Sequence, residues 1–222
     1  MADILDVITS RQSIRKYTDQ PVPDEMLDKI IEAARYAPSG ENEQPWRLIV
    51  VRNPETIKKI GQWMRIGTGQ RGTAEHCLHE DARFDVYTDP AERQRVAEFY
   101  YSGAVSLLPA NAPVLIIVIG ELKGMMDTPY DLSACIQNML LEAHSLGLGG
   151  VWVHGPAVYP RIVKQLKEML GIPTGMGDFK MLASVSIGFP RGSRSHPQGR
   201  KEAKEFVFWE KFGNTKRQQW TR

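Results

Sequence analysis

Four stretches of this chain carry side chains with chemistry in them. Arg11-Gln12-Ser13-Ile14-Arg15-Lys16-Tyr17 sets two arginines four apart with a serine between them. Guanidinium forks and a hydroxyl are the equipment for gripping a phosphate or another anion. Ala37-Pro38-Ser39-Gly40-Glu41-Asn42-Glu43-Gln44-Pro45-Trp46 is a proline-bounded loop dense in hydrogen-bonding groups. Gly147-Leu148-Gly149-Gly150-Val151-Trp152-Val153-His154-Gly155-Pro156 is a glycine-rich turn entering an apolar strand. That strand ends at Gly155, where backbone can approach a ligand closely. Ser193 to Lys201 forms a late basic loop with Arg194, Arg200 and Lys201. Singly, each has an ordinary reading: a solvated basic face, a connection, a turn.

Other chemistries lack their residues. No Gly-x-Gly-x-x-Gly follows a strand, and there is no phosphate loop, Gly-x-Ser-x-Gly elbow or His-Glu-x-x-His. His76, Cys77 and His79 are close together, but no second ligand cluster completes a metal set, so no metal is expected.

The elements that must position these stretches follow from periodicity. Pro23 to Ala37 predicts a helix, with Met26, Leu27, Ile30, Ile31 and Ala34 on one face. A shorter amphipathic segment surrounds Ile4 to Ile8. Arg47 to Val51 reads as a strand and Pro54 to Trp63 as a helix. Met64 to Thr88 has little periodicity and reads as a long loop or lid, followed by a helix over Ala91 to Leu108. Val114 to Ile119 is a continuous apolar run, the pattern of a strand covered on both faces. Asp131 to Leu146 is the clearest helix, with Asp131 as its expected N-cap and Gly147 as its C-cap. Val151 to His154, Val158 to Leu170 and Leu182 to Ile187 read as strand, helix and strand. The polar tail from Arg191 ends in Phe206, Val207, Phe208, Trp209 and Phe212, too apolar for a free terminus.

A chain of 222 residues fits one domain. Its net charge of +2 gives no reason to invoke nucleic acid or an acidic membrane surface. No apolar run is long enough to span a bilayer, and the N-terminus lacks the order of a signal peptide. Cys77 and Cys135 make no framework of bridges. Together these traits predict a soluble, cytoplasmic protein.

In this order, the Arg-x-Ser-x-Arg segment, the Pro-Ser-Gly-x-Asn-x-Gln-Pro-Trp loop, the Gly-Leu-Gly-Gly strand entry and the late basic loop resemble the nitroreductase family. The resemblance runs from about Ile4 to about Phe212. It implies an α+β, three-layer fold with a central mixed sheet flanked by helices, residues 1–222 forming one FMN-binding domain. It further implies a homodimer with FMN at the interface. Residues 63–101 would be a lid shaping the substrate pocket. Residues 191–222 would be a C-terminal extension docking on the partner subunit. The implied activity moves hydride from NAD(P)H through FMN to a nitroaromatic, quinone or related small acceptor, by a ping-pong mechanism. The same scaffold also hosts reductive dehalogenases, flavin-consuming enzymes and flavin binders without turnover.

Position by position, the resemblance gives Arg11, Gln12 and Ser13 the FMN phosphate and ribityl chain, with Arg200 as the late phosphate-binding arginine. Arg15 falls near the pyrimidine edge, where a cation favours the reduced, anionic ring. Pro38, Ser39, Gly40 and Asn42 match a loop that reaches the other subunit's flavin. Val153, His154 and Gly155 match the segment beside the ring. The flavin would be the redox centre, so no catalytic protein nucleophile or base is expected. His154 and Gln198 depart from the residues common in relatives.

Overall fold

In the computed structural model, which describes residues 3–78, 84, 87–121, 128–174, 179–192 and 200–216, the apolar run is the body of a strand, β2 (Val114–Glu121). β1 (Trp46–Val51) and β4 (Phe179–Gly188) pair with its two edges, and β3 (Gly149–Val153) pairs with β4. The order is β1-β2-β4-β3, and each of these pairs is antiparallel. The parallel component is an isolated bridge between Ser13 and Gly150.

Burial on both faces explains why β2 shows no alternation. Val114, Ile116 and Val118 join one core with α2 (Asp24–Arg35) and α5 (Thr128–Ser145). Leu115, Ile117 and Ile119 join a second core with α3 (Pro54–Leu78) and α7 (Pro160–Leu170). The architecture is helix, sheet, helix, the α+β class the sequence predicts. Each fully buried aliphatic side chain contributes about 1.5–3 kcal/mol, so β2 is a large share of what holds the layers together. Among the described residues no helix is long and apolar enough to cross a membrane.

The expected elements all form, with four revisions. Met64 to Leu78 is not a loop: it continues α3. Its glycines break the periodic signal, yet they are packing positions. A Cβ at Gly67 would lie 2.1 Å from the Gly155 carbonyl oxygen, so only glycine lets the two backbones meet. His76 and Cys77 fall on this helix, and His79 lies outside the described residues. The helix predicted to reach Leu108 stops earlier, as α4 (Pro90–Tyr101) followed by 3-10 turns at Ala104–Leu107 and Pro109–Asn111. Gly103 breaks it by taking φ 72° against the Arg65 carbonyl. Gly155 does not end a strand but opens a short helix, α6 (Gly155–Val158). Asp131 lies inside the first turn of α5 rather than capping it.

Near both ends of the described chain several apolar side chains stay exposed. In α1 (Ile4–Ser10), Ile4 is 73% and Leu5 60% exposed. After the short helix α8 (Ala203–Phe206), the rings of Phe208 and Phe212 lie 4.5 Å apart, with Phe212 93% exposed.

Candidate functional site

The first motif is pinned across one end of the sheet. α1 is capped by Asp3, whose carboxylate accepts the Leu5 N–H at 3.1 Å, and it ends at Arg11. The chain then runs extended. Ile14 N–H donates to the Gly150 carbonyl at 3.1 Å, and Thr18 N–H donates to the Phe189 carbonyl at 2.9 Å. Between these two ties the Tyr17 ring is buried, and its hydroxyl donates to the Ile14 carbonyl at 2.5 Å. Burial pushes the Tyr17 phenol well above its ordinary range, against the opposing pull of the Arg15 charge.

This anchoring leaves the polar side chains outward. Arg11 and Gln12 are half-buried, while Ser13 and Arg15 are exposed. Arg15 Nη1 lies 3.4 Å from the Ser13 carbonyl oxygen, and neither Arg11 nor Arg15 forms an ion pair among the described residues. Two guanidiniums without a carboxylate, beside a serine hydroxyl on a fixed strand, suit a phosphate-bearing cofactor such as FMN. A groove of about 980 Å³ opens beside Arg15, lined also by Ile57, Lys58, Ala110 and Arg191, but Arg11, Gln12, Ser13 and Val153 to Gly155 do not line it.

The next three residues run from the last position of β3, Val153, through His154 to Gly155, the first residue of α6. Val153 is buried and its carbonyl accepts the Ser184 hydroxyl at 3.2 Å. His154 is exposed, and Gly155 is buried against α3. Behind it, the Thr68 and Ser106 hydroxyls lie 2.7 Å apart, tying α3 to the 3-10 turn that follows α4. The end of β3 therefore rests on a tightly packed support where the sequence pattern predicts a loop.

The Pro38 to Trp46 loop is built from unusual backbone. Glu41, Asn42 and Gln44 have φ of 50°, 58° and 49°, a region few L residues enter. Ser39 Oγ accepts the Gln44 N–H at 3.1 Å, and Gly40 N–H donates to Asp131 Oδ1 at 3.2 Å. Pro38, Gly40 and Asn42 are exposed and Ser39 is half-buried.

The structure brings two of the motifs together and holds the third apart. Ser13 bridges Gly150 near the start of β3, and Val153 to Gly155 follow at the strand's end and the start of α6. The Pro38 loop leads into β1, at the opposite edge of the sheet. Three inter-strand spacings, about 14 Å of filled core, lie between those edges. The length of α5 separates them as well. Asp131 holds Gly40 at its first turn, and His144 Nε2 lies 2.8 Å from Ser10 Oγ thirteen residues later, about 20 Å along the helix. Arg200 is exposed, beyond residues 193–199, which lie outside the described residues and include Arg194 and Gln198. Asp131 is the residue that the sequence pattern does not single out for the site; its partner is 91 positions away, and no local signal marks it.

Similar sequences and the same fold occur in known proteins. A family model described as the Nitroreductase family matches residues 8–189. A Thermus thermophilus protein named NADH dehydrogenase is 52% identical over 221 residues, covering 93% of this chain and 97% of that protein. A solved nitroreductase with bound FMN from Bacteroides fragilis superposes with a TM-score of 0.65 at 23% identity, covering 95% of this chain and all (100%) of that one. A BluB-like flavoprotein from Clostridium difficile superposes at 0.71 with 24% identity, again over 95% of this chain and 100% of that one. At those identities the likeness to the two structures is one of fold.

Proposed function

This chain belongs to the nitroreductase family of FMN-dependent oxidoreductases, and from that premise we propose that it carries hydride from NAD(P)H to a nitroaromatic, quinone or related small acceptor at a site shared between two copies of the chain. When bound, FMN supplies the hydride acceptance and release, so nicotinamide and acceptor use the site in turn. The protein's task is to hold, orient and tune. Arg11, Gln12, Ser13 and Arg200 grip the phosphate and ribityl chain. Arg15 stands at the pyrimidine edge. Val153, His154 and Gly155 line the ring. Pro38, Ser39, Gly40 and Asn42 of one copy serve the FMN of the other. The second half of α3 and α4, within residues 63–101, shape the substrate pocket.

The observation that carries the shared site is the sheet order. The Arg11 segment and the Pro38 loop flank opposite edges of one sheet, so a ligand held along β3 reaches such a loop from a second copy. The exposed Ile4, Leu5, Phe206 and Phe212 are apolar surface that a second copy would cover. Purification tests the reading. The protein should be yellow, release FMN rather than FAD on denaturation, and oxidise NADH or NADPH against a panel of nitroaromatics and quinones. A protein that takes up no FMN contradicts it.

A further inference from the structure

We propose that Asp131 is a positioning residue that sets the flavin-facing loop in shape before any ligand arrives, an inference that rests on the assignment of Pro38, Ser39, Gly40 and Asn42 to FMN. Three L residues within four positions, Glu41, Asn42 and Gln44, occupy left-handed backbone. Such conformations persist only where surrounding structure over-determines them, and they gather at ligand clamps. The loop's own bonds, Asn42 N–H to Ser39 O at 3.2 Å and Glu43 N–H to Gly40 O at 3.0 Å, are those of a local turn and fix nothing to the body.

In its middle the loop is tied to the body by the Gly40 N–H donated to Asp131, and towards its exit the Pro45 carbonyl accepts the Glu121 N–H at 3.0 Å and the Gln44 carbonyl lies 3.5 Å from Arg47 Nη1. Asp131 is 9% exposed and stands on the first turn of α5, beside the fully buried Leu132, Cys135 and Ile136. α5 also receives α2 directly, through Asn138 Nδ2 donating to the Ala33 carbonyl at 3.0 Å just before the loop begins. At the far end Trp46 is buried as β1 starts. The loop is thus held at its root, its middle and its exit, while Pro38, Gly40 and Asn42 remain exposed. Glu41, Asn42 and Gln44, the residues in left-handed backbone, are themselves exposed, and a strained conformation that buries none of its own side chains is one preset for an outside contact. A carboxylate is the strong acceptor for such a clamp.

The competing role for Asp131 is electrostatic: an acid in a helix's first turn favours the helix by itself. Two substitutions separate the roles. Asp131→Ala removes the acceptor, whereas Asp131→Asn removes the charge but keeps a carbonyl oxygen for the Gly40 N–H. FMN affinity is read by fluorescence quenching and the stability of the apoprotein by thermal unfolding. Asp131→Ala should weaken FMN binding by roughly tenfold or more, and Asp131→Asn should restore most of it. Wild-type affinity in Asp131→Ala, or an equal loss in both variants, overturns the proposal. Amide exchange on the unmodified apoprotein adds a readout that needs no variant. The Gly40 N–H should be protected without FMN, and an unprotected amide there also overturns the clamp. If the wild type binds no FMN, the functional reading fails, and Gly40 exchange still reports on the clamp separately.

Discussion

Arg11 and Arg15 share one extended segment yet are asked for different things. Arg11, half-buried and without an ion pair among the described residues, is proposed to anchor the phosphate. Arg11→Ala should weaken FMN binding by about 1.5 kcal/mol or more, roughly tenfold, with little change in thermal stability of the apoprotein. Equilibrium titration with FMN reads this, and unchanged affinity removes Arg11 from the site. Arg15→Gln should instead lower the flavin's reduction potential and slow its reduction by NAD(P)H more than it weakens binding. Equal potentials in variant and wild type contradict that role. Side-chain type and spacing alone suggest an anion grip at these residues. Nothing comparable marks Asp131, since its acidity fits a helix start equally well and only the fold shows Gly40 in reach.

Among the elements, α3 is where sequence and structure part most. Helix propensity counts each glycine against a helix by about 1 kcal/mol, so Gly61, Gly67, Gly69 and Gly72 silence the signal. Tertiary contact outweighs propensity here, because α3 presses on Gly155, where a Cβ at Gly67 would collide, and packs closely against the Tyr101–Gly103 backbone at Gly69. Gly67→Ala therefore sets a propensity gain of about 1 kcal/mol against overpacking that costs about 1–3 kcal/mol. The clash is with a backbone carbonyl that cannot rotate away, so overpacking should win. We expect a lower melting temperature and weaker FMN binding, because α6 begins at the displaced residue. A variant as stable as wild type would show that α3 does not support the end of β3. The strands and α2, α5 and α7 were legible because their apolar spacing matches the layers they face. α4 was overextended because Gly103's left-handed turn is a backbone event that periodicity does not register.

At the scale of the whole molecule, two buried groups predict an alkaline limit. Burial pushes the Cys135 thiol up from 9.0 to about 12, and raises the Tyr17 phenol as well. Both groups hold their protons more tightly folded than unfolded, so the stability they contribute is complete below their unfolded values and is lost as pH rises. For Cys135 the window is from about pH 9 to about pH 12. Its contribution there falls by about 1.4 kcal/mol per pH unit. Denaturant midpoints should drop across that window, and Cys135→Ala should flatten part of the slope. A flat profile to pH 11 contradicts the assignment. The layered fold was legible at this scale, whereas the separation of the motifs was not, because strand order is set by long-range pairing.

That separation makes the shared site the central claim, and mixing two defective chains tests it most directly. Arg11→Ala damages the phosphate end of a site, and Asn42→Ala damages the loop offered to the other copy. If sites are shared, a dimer of one chain of each kind contains one wholly intact site, made from Arg11 of one chain and Asn42 of the other, and one site with both defects. If each chain completes its own site, every site carries one defect. The two variants, unfolded together and refolded as a mixture, should therefore recover a fraction of wild-type FMN affinity and, at limiting FMN, NAD(P)H oxidation above that of either variant alone. Activity no higher than the average of the separate variants, with mixed dimers demonstrably present, would contradict the shared site.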